Sequence, residues 1–313
     1  MQGAWPWSAR IPRQARILLH DLAWVPRGAV SLGRARGASV YHGAGFKVPP
    51  RAPFATSVTI HDDTPWDNPP TARLYNRVYM RRVMEAAAPN LAGAITSSQT
   101  TAAAILTRLP ALRGRLHVTP WGVDHDVFRP RPRAEVEVAA KAAGATSPYV
   151  VLVSPYGPRK NAAAMLQALA RARESAPALQ ALVVGRHDSP VNDPLPVVRC
   201  GRVSDDELAG LYSGAEFLLY ASLKEGFGLP VLEALACGCP VVTSRDSVLE
   251  EIAGGGALAV DPGSVEAIAA GCRTLLSDAG TRDDLRRQGL ARSAGFTWEE
   301  TARLTLQAWE QMA

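Results

Sequence analysis

The stretch YASLKEGFGLPVLEALACGCPVVT, residues 220–243, reads as the end of one strand, a loop, a short apolar helix and the start of a second strand. The helix is entered through Gly226-Phe227-Gly228, and Pro230 falls in its first turn, where a missing N–H costs nothing. Free N–H groups at such a helix start, reinforced by the helix dipole, form a site for a pyrophosphate. The two glycines let a ligand approach the backbone closely. Glu233 follows Glu225 by eight residues, so the loop and the helix each present a carboxylate. Beside a phosphate a carboxylate is repelled, and its best use there is to accept hydrogen bonds from hydroxyls. A nucleotide sugar offers both groups.

Around this stretch, short apolar runs alternate with amphipathic segments, the mark of βαβ units feeding a parallel sheet. Strands are expected at Tyr149–Val153, Leu179–Val184, Val197–Cys200, Phe217–Tyr220, Pro240–Thr243 and Ala257–Val260. Helices are expected at Asn161–Ser175, with Asn161 as N-cap, and at Asp205–Ser213, Leu229–Ala236, Ser247–Ala253 and Ser264–Ser277. The half is therefore a doubly wound, Rossmann-like α/β domain. The first half carries strand candidates at Ser39–His42, Ser57–His61, Ala94–Ser97 and Leu116–Thr119, and helical patterns at Thr71–Ala87 and Gln99–Leu109. Arg131–Lys141 reads as a linker or an approach helix, and Trp298–Met312 as a last helix.

With 313 residues, 47% hydrophobic and 20% charged, the chain has the composition of a globular protein of about two domains, and disordered and fibrous classes are excluded. The net charge of +5 is uneven: residues 1–130 carry 16 basic and 7 acidic side chains, the remainder 18 and 22. A basic first half points to nucleic acid, anionic lipid or a phosphorylated substrate, against the plainer reading of scattered arginines such as Arg73, Arg77 and Arg81 on one solvated helix face. Cys200, Cys237, Cys239 and Cys272 have no paired Cys-x-x-Cys spacing and read as reduced thiols packed as small hydrophobes. The N-terminal stretch lacks the apolar run of a signal peptide, which leads to a cytoplasmic expectation.

Five further segments stand out. Ser154-Pro-Tyr-Gly-Pro-Arg159-Lys160-Asn161 follows the Tyr149–Val153 strand, so Arg159 and Lys160 can reach the same pyrophosphate and stabilise charge developing on a leaving nucleoside diphosphate. Gly201-Arg202-Val203 ends another strand. Ser57-Val-Thr-Ile-His61-Asp62 puts a histidine directly after a strand, at the edge where open α/β sheets bind ligands. Thr96-Ser97-Ser98 and Pro120-Trp-Gly-Val-Asp124 complete the set.

In EGFGLPVLEA and the following ACGCPVV the chain resembles the retaining GT-B glycosyltransferases of family 4, with a Glu-seven-Glu motif, and the likeness runs thinly from Val40 to Pro130 and densely from Ser154 to Asp261. The resemblance implies a GT-B fold, two Rossmann-like domains facing a cleft. The expected division is 1–135 on the acceptor side, 136–297 on the donor side and a helix over 298–313 crossing back to the first domain. It assigns Glu225 to donor-sugar hydroxyls, Glu233 to the ribose, and the amides of Gly226, Phe227, Gly228 and Leu229 to the diphosphate and sugar. Ser154, Arg159 and Lys160 match its phosphate element, with Ser154 where the family has glycine. Arg202 and Val203 match its nucleobase turn, and His61 its sugar-contacting histidine. His61, Arg159, Lys160 and Glu225 are thus the expected catalytic group.

The implied activity is transfer of a hexose from a nucleoside-diphosphate sugar to a glycan, lipid-linked or small acceptor, with retention and without cofactor or metal. Contact with the inner membrane face is the further expectation. The family's first strand and glycine-rich loop have no counterpart near Met1, so the acceptor domain is expected to be shortened, and a non-catalytic nucleotide-sugar-binding homologue acting with a partner is the alternative. Asp124-His125-Asp126 is the type of pair that holds a cation in GT-A enzymes, but it lies in the interdomain passage and is read as structural. No Gly-x-Ser-x-Gly elbow or Walker loop occurs, and the first half lacks the interleaved aromatics of a nucleic-acid binder.

Overall fold

The computed structural model describes residues 27, 29–49, 52–66, 80–146, 148–185 and 194–313. It divides into two compact units: one holds the described residues up to Ser97 with Thr101–Thr119 and Arg303–Ala313, the other Ser98–Thr100 with Pro120–Ala302. The passage between units thus falls at Thr119/Pro120, where the sequence reading set 135/136.

The first unit is a four-stranded parallel sheet, β1 (Val40–Gly43), β2 (Ala55–Thr59), β3 (Gly93–Thr96) and β4 (Leu116–Val118), in the order β1-β2-β3-β4. Helices α1 (Ala29–Ala35), α2 (Arg81–Ala87) and α3 (Gln99–Arg108) accompany it. The first was not expected, and of the Thr71–Ala87 pattern residues 71–79 lie outside the described residues. Val58, Ile60, Met84, Ile105 and Leu112, all fully buried, form its core.

The second unit carries six parallel strands: β5 (Tyr149–Val153), β6 (Gln180–Val184), β7 (Val197–Gly201), β8 (Phe217–Tyr220), β9 (Val241–Ser244) and β10 (Leu258–Val260). Their order is β10-β9-β8-β5-β6-β7, so the first strand of the unit, β5, lies between β6 and β8 and the winding reverses there. The helices are α4 (Arg133–Ala142), α5 (Ala162–Ala172), α6 (Asp205–Gly214), α7 (Leu229–Ala236), α8 (Val248–Ala253), α9 (Val265–Ser277) and α10 (Ala279–Ser293). A last helix, α11 (Trp298–Met312), starts in this unit and gives Arg303 onward to the first.

Alternate strand residues explain why YVVLV is apolar throughout. Val151, Leu182 and Leu218 join one core with α6 to α8, while Val150, Leu152, Val183 and Leu219 join a second core with α5 and α9. A parallel sheet covered on both faces needs apolar side chains at every position. Each fully buried Val or Leu contributes about 1.5–3 kcal/mol relative to exposure.

Two local readings change. Asn161 does stand at the N-cap position of α5, yet its side chain caps nothing and its backbone is left-handed at φ 62°. Helix α10 went unanticipated because only Leu285, Gly289 and Ser293 of its 15 residues are buried, too few to set a 3.6-residue apolar period.

Candidate active site

The carboxyl ends of β5 and β8, neighbours at the reversal point, carry the segments singled out above. In an open α/β sheet this is where ligands bind, because the loops part there in opposite directions. Ser154, directly after β5, has a left-handed backbone at φ 43°, which accounts for a glycine being the usual residue at such a strand end. Its N–H donates to Val184 (2.7 Å), and Gly185 lies so close that a Cβ there would sit 2.4 Å from Ser154 Oγ.

The loops after β5 and β8 are tied together by Leu223 N–H donating to the Arg159 carbonyl (2.8 Å) and by Asn161 Nδ2 donating to the carbonyls of Ala221 (2.9 Å) and Pro262 (2.8 Å). Asn161 is therefore a three-loop staple, joining the segments that follow β5, β8 and β10.

At the centre, Lys160 Nζ donates to Glu225 Oε1 (2.7 Å) and to Tyr220 Oη (2.8 Å), and Tyr220 Oη donates to the same Glu225 oxygen (3.1 Å). The Lys160 and Glu225 side chains are 23% and 10% exposed, so the pair is stronger than a surface ion pair and costly to break on one side. Burial, then the Glu225 charge, pushes the Tyr220 phenol far above its ordinary range, which keeps it a neutral hydroxyl able to accept and donate at once.

Gly228 precedes α7 with φ 102° and has no side chain to occupy the helix N-terminus, and Pro230 lies in the first turn. A Cβ on Gly228 would meet Leu249 Cδ2 at 2.4 Å. Phe227 is buried against Trp121 and Phe296, with ring centroids 5.3 and 6.3 Å away, which anchors the glycine loop from below. Leu229 opens the helix.

Glu233, one turn on, has a separate set of neighbours. Tyr212 Oη donates to its Oε2 at 3.4 Å, and its pKa is pushed up to about 7, mainly by burial and further by the charge of Asp205, with the Tyr212 bond acting in the other direction. The two glutamates are thus held in different surroundings, Glu225 by a lysine and a tyrosine and Glu233 by a tyrosine. Arg202 and Val203 follow Gly201, φ 67°, at the end of the edge strand β7, two strands from β5, with Arg202 exposed.

His61 belongs to the first unit. It follows β2, and its Nε2–H donates to the Ala44 carbonyl at 2.9 Å. In the Asp124-His125-Asp126 segment, Asp124 Oδ1 accepts the N–H groups of Asp126 (3.0 Å) and Val127 (3.3 Å), and His125 Nε2 donates to the Phe296 carbonyl (3.2 Å). All four cysteines are unpaired, three of them buried.

Sequence reasoning assigned Lys160 to the pyrophosphate and Glu225 to the sugar hydroxyls of one donor site, but took Tyr220 only as a strand end and Asn161 only as a cap. The signal for Tyr220 was a phenol closing a strand otherwise without a polar atom in its side chains, Phe-Leu-Leu-Tyr, five residues before Glu225.

Residues 135–292, just over half of the chain, match the family model of the glycosyl transferases group 1. The O-antigen chain mannosyltransferase B of Escherichia coli is 28% identical over 87% of this chain and 74% of its own length. An MMP α-(1→4)-mannosyltransferase of Mycolicibacterium hassiacum is 30% identical over 79% of this chain, which spans 60% of that protein. Among solved structures, Anabaena HepE in complex with UDP and glucose superposes with a TM-score of 0.71 at 17% identity, covering 94% of this chain and 82% of that one. The fold is GT-B.

Proposed function

The chain belongs to the group 1 glycosyl transferases, and from that premise we propose that it transfers a hexose from a nucleoside-diphosphate sugar to a glycan or lipid-linked acceptor with retention of configuration. The observation that carries this reading is the Lys160–Tyr220–Glu225 cluster beside the open N-terminus of α7, at the reversal point of the donor-side sheet. Mannose is the favoured sugar, because both relatives described above are named mannosyltransferases.

The amides of Gly226 to Leu229 and the helix dipole would hold the diphosphate, joined by Arg159 and Lys160, which supply the positive charge that departure of the nucleotide requires. Charge from these groups makes a catalytic metal unnecessary. Glu225 would accept hydrogen bonds from sugar hydroxyls and Glu233 from the ribose, each group oriented before reaction rather than during it. Ser154 would line the phosphate approach, and Arg202 and Val203 the nucleobase. His61 is proposed as a contact of the transferred sugar on the strength of the family resemblance. Retention follows if the leaving phosphate and the incoming hydroxyl share one face of an oxocarbenium-like sugar.

Among the described residues no helix is long and apolar enough to cross a membrane. Peripheral attachment at the inner, anionic membrane face is proposed from the excess of basic residues in the first half.

The test is release of nucleoside diphosphate from a panel of nucleotide sugars, GDP-mannose and UDP-glucose included, by the wild type and by Glu225→Ala and Lys160→Ala. Loss of one charge-stabilising group is expected to cut turnover about 100-fold or more. If both variants turn over at the wild-type rate, the site is elsewhere. Binding of a nucleoside diphosphate without any turnover would favour a sugar-nucleotide-binding homologue instead.

A further inference from the structure

Lys160 and Glu225 are paired, and the proposed reaction requires them to part: the lysine must turn to the diphosphate, the glutamate to sugar hydroxyls. Lys160 sits on a flexible four-carbon stem and can swing away. Glu225, only 10% exposed, would then lose its principal partner in a site with little water to replace it. What remains on Oε1 is the Tyr220 hydroxyl, 3.1 Å away.

Tyr220 cannot follow the ligand. It is 2% exposed, it ends β8 between β5 and β9, and its carbonyl accepts a hydrogen bond from Thr243 Oγ1 (3.1 Å) that pins the strand end to β9. The ammonium lies beyond its hydroxyl edge, 5.2 Å from the ring centroid, so the phenol oxygen meets both residues of the pair.

We propose that Tyr220 is a positioning residue of the transfer reaction, its hydroxyl holding Glu225 Oε1 in place when Lys160 leaves for the diphosphate, so that Oε2 faces the sugar. This deepens the donor-site reading and rests on it. Holding Oε1 from a fixed phenol fixes the carboxylate plane. A carboxylate free to rotate would instead spend part of its time reaching back to Lys160, drawing positive charge off the leaving group.

The experiment is Tyr220→Phe, which keeps the buried ring and removes one hydroxyl. The readouts are calorimetric binding of GDP and UDP, for affinity and stoichiometry, and kcat and KM for the nucleotide sugar that the panel selects. The expected result is a fall in kcat of about 10- to 100-fold, the range for losing a hydrogen bond to a charged group, with KM and nucleoside-diphosphate affinity changed less than about threefold. Stoichiometry stays at the wild-type value. In a Glu225→Gln background the same change should cost less than about threefold, because the group it acts through has been removed. An unchanged kcat overturns the proposal. So does a fall in kcat matched by an equal fall in binding stoichiometry, which would mean fewer folded molecules, or full additivity with Glu225→Gln. If the wild type binds neither nucleotide, the donor-site reading fails and takes this proposal with it; if it binds and turns over while Tyr220→Phe is silent, only the positioning role fails.

Discussion

Replacing Glu233 by glutamine should make the protein more stable at alkaline pH and leave it unchanged in acid. The carboxyl is mostly buried beside Tyr212 and feels the charge of Asp205, and its pKa is pushed up to about 7 from an ordinary 4.5. Between those values the folded state keeps a proton that the unfolded chain releases, so its stability contribution is complete below 4.5 and is lost as pH rises through 7. At about 1.4 kcal/mol for each tenfold change in a proton equilibrium, the loss above pH 8 amounts to roughly 3 kcal/mol. Glutamine accepts the same Tyr212 hydrogen bond without carrying a charge. Urea unfolding at intervals from pH 4.5 to 8.5 measures the difference between the two proteins. That difference should start near its acid baseline, open mainly between pH 5 and 7.5 and level off at about 1–3 kcal/mol in favour of glutamine. A difference that stays flat across the range would refute the reasoning. Where the ribose hydroxyls are its partner, binding should also favour the ionised carboxylate, so wild-type nucleotide affinity should rise through pH 7 while that of Glu233→Gln does not.

Gly228→Ala combines a left-handed φ of 102° with a Cβ placed 2.4 Å from Leu249 Cδ2, and Leu249 is itself 1% exposed with little room to move. A loss of about 1–3 kcal/mol in urea unfolding is expected, together with weaker nucleotide binding as the helix N-terminus shifts. For the basic first half, sedimentation with vesicles containing anionic lipid should capture the protein at low salt and release it at high salt. Capture equal at both, or none at low salt, would remove membrane attachment from the proposal.

Much of the second unit was legible because its physics is local. A strand buried on both faces must be apolar at every position, which Tyr149–Val153 and Phe217–Tyr220 are, and a helix entered through Gly-Phe-Gly with proline in its first turn declares its own N-terminus. Helix α10 shows the reverse, since a helix exposed over most of its surface leaves no apolar period to find. The site was legible one residue at a time. Lys160 could be assigned to the diphosphate and Glu225 to the sugar of one donor from the motifs that carry them, but their direct pairing depends on β5 and β8 being neighbours, a long-range fact of topology. Tyr220 and Asn161 escaped for the same reason. Tyr220 lies five residues from Glu225, but its bond to Lys160, like those of Asn161 to Ala221 and Pro262, spans 60 residues or more. No spacing rule reaches that far.

The central claim is that the reversal point of the second unit holds a nucleoside diphosphate through Lys160 and the start of α7. Calorimetric titration of GDP and UDP into the wild type and into Lys160→Ala tests it most directly. The account predicts saturable binding of at least one of the two at one site per chain, weakened about tenfold or more in the variant. Equal binding by both proteins, or no binding of either nucleotide by the wild type, would contradict it.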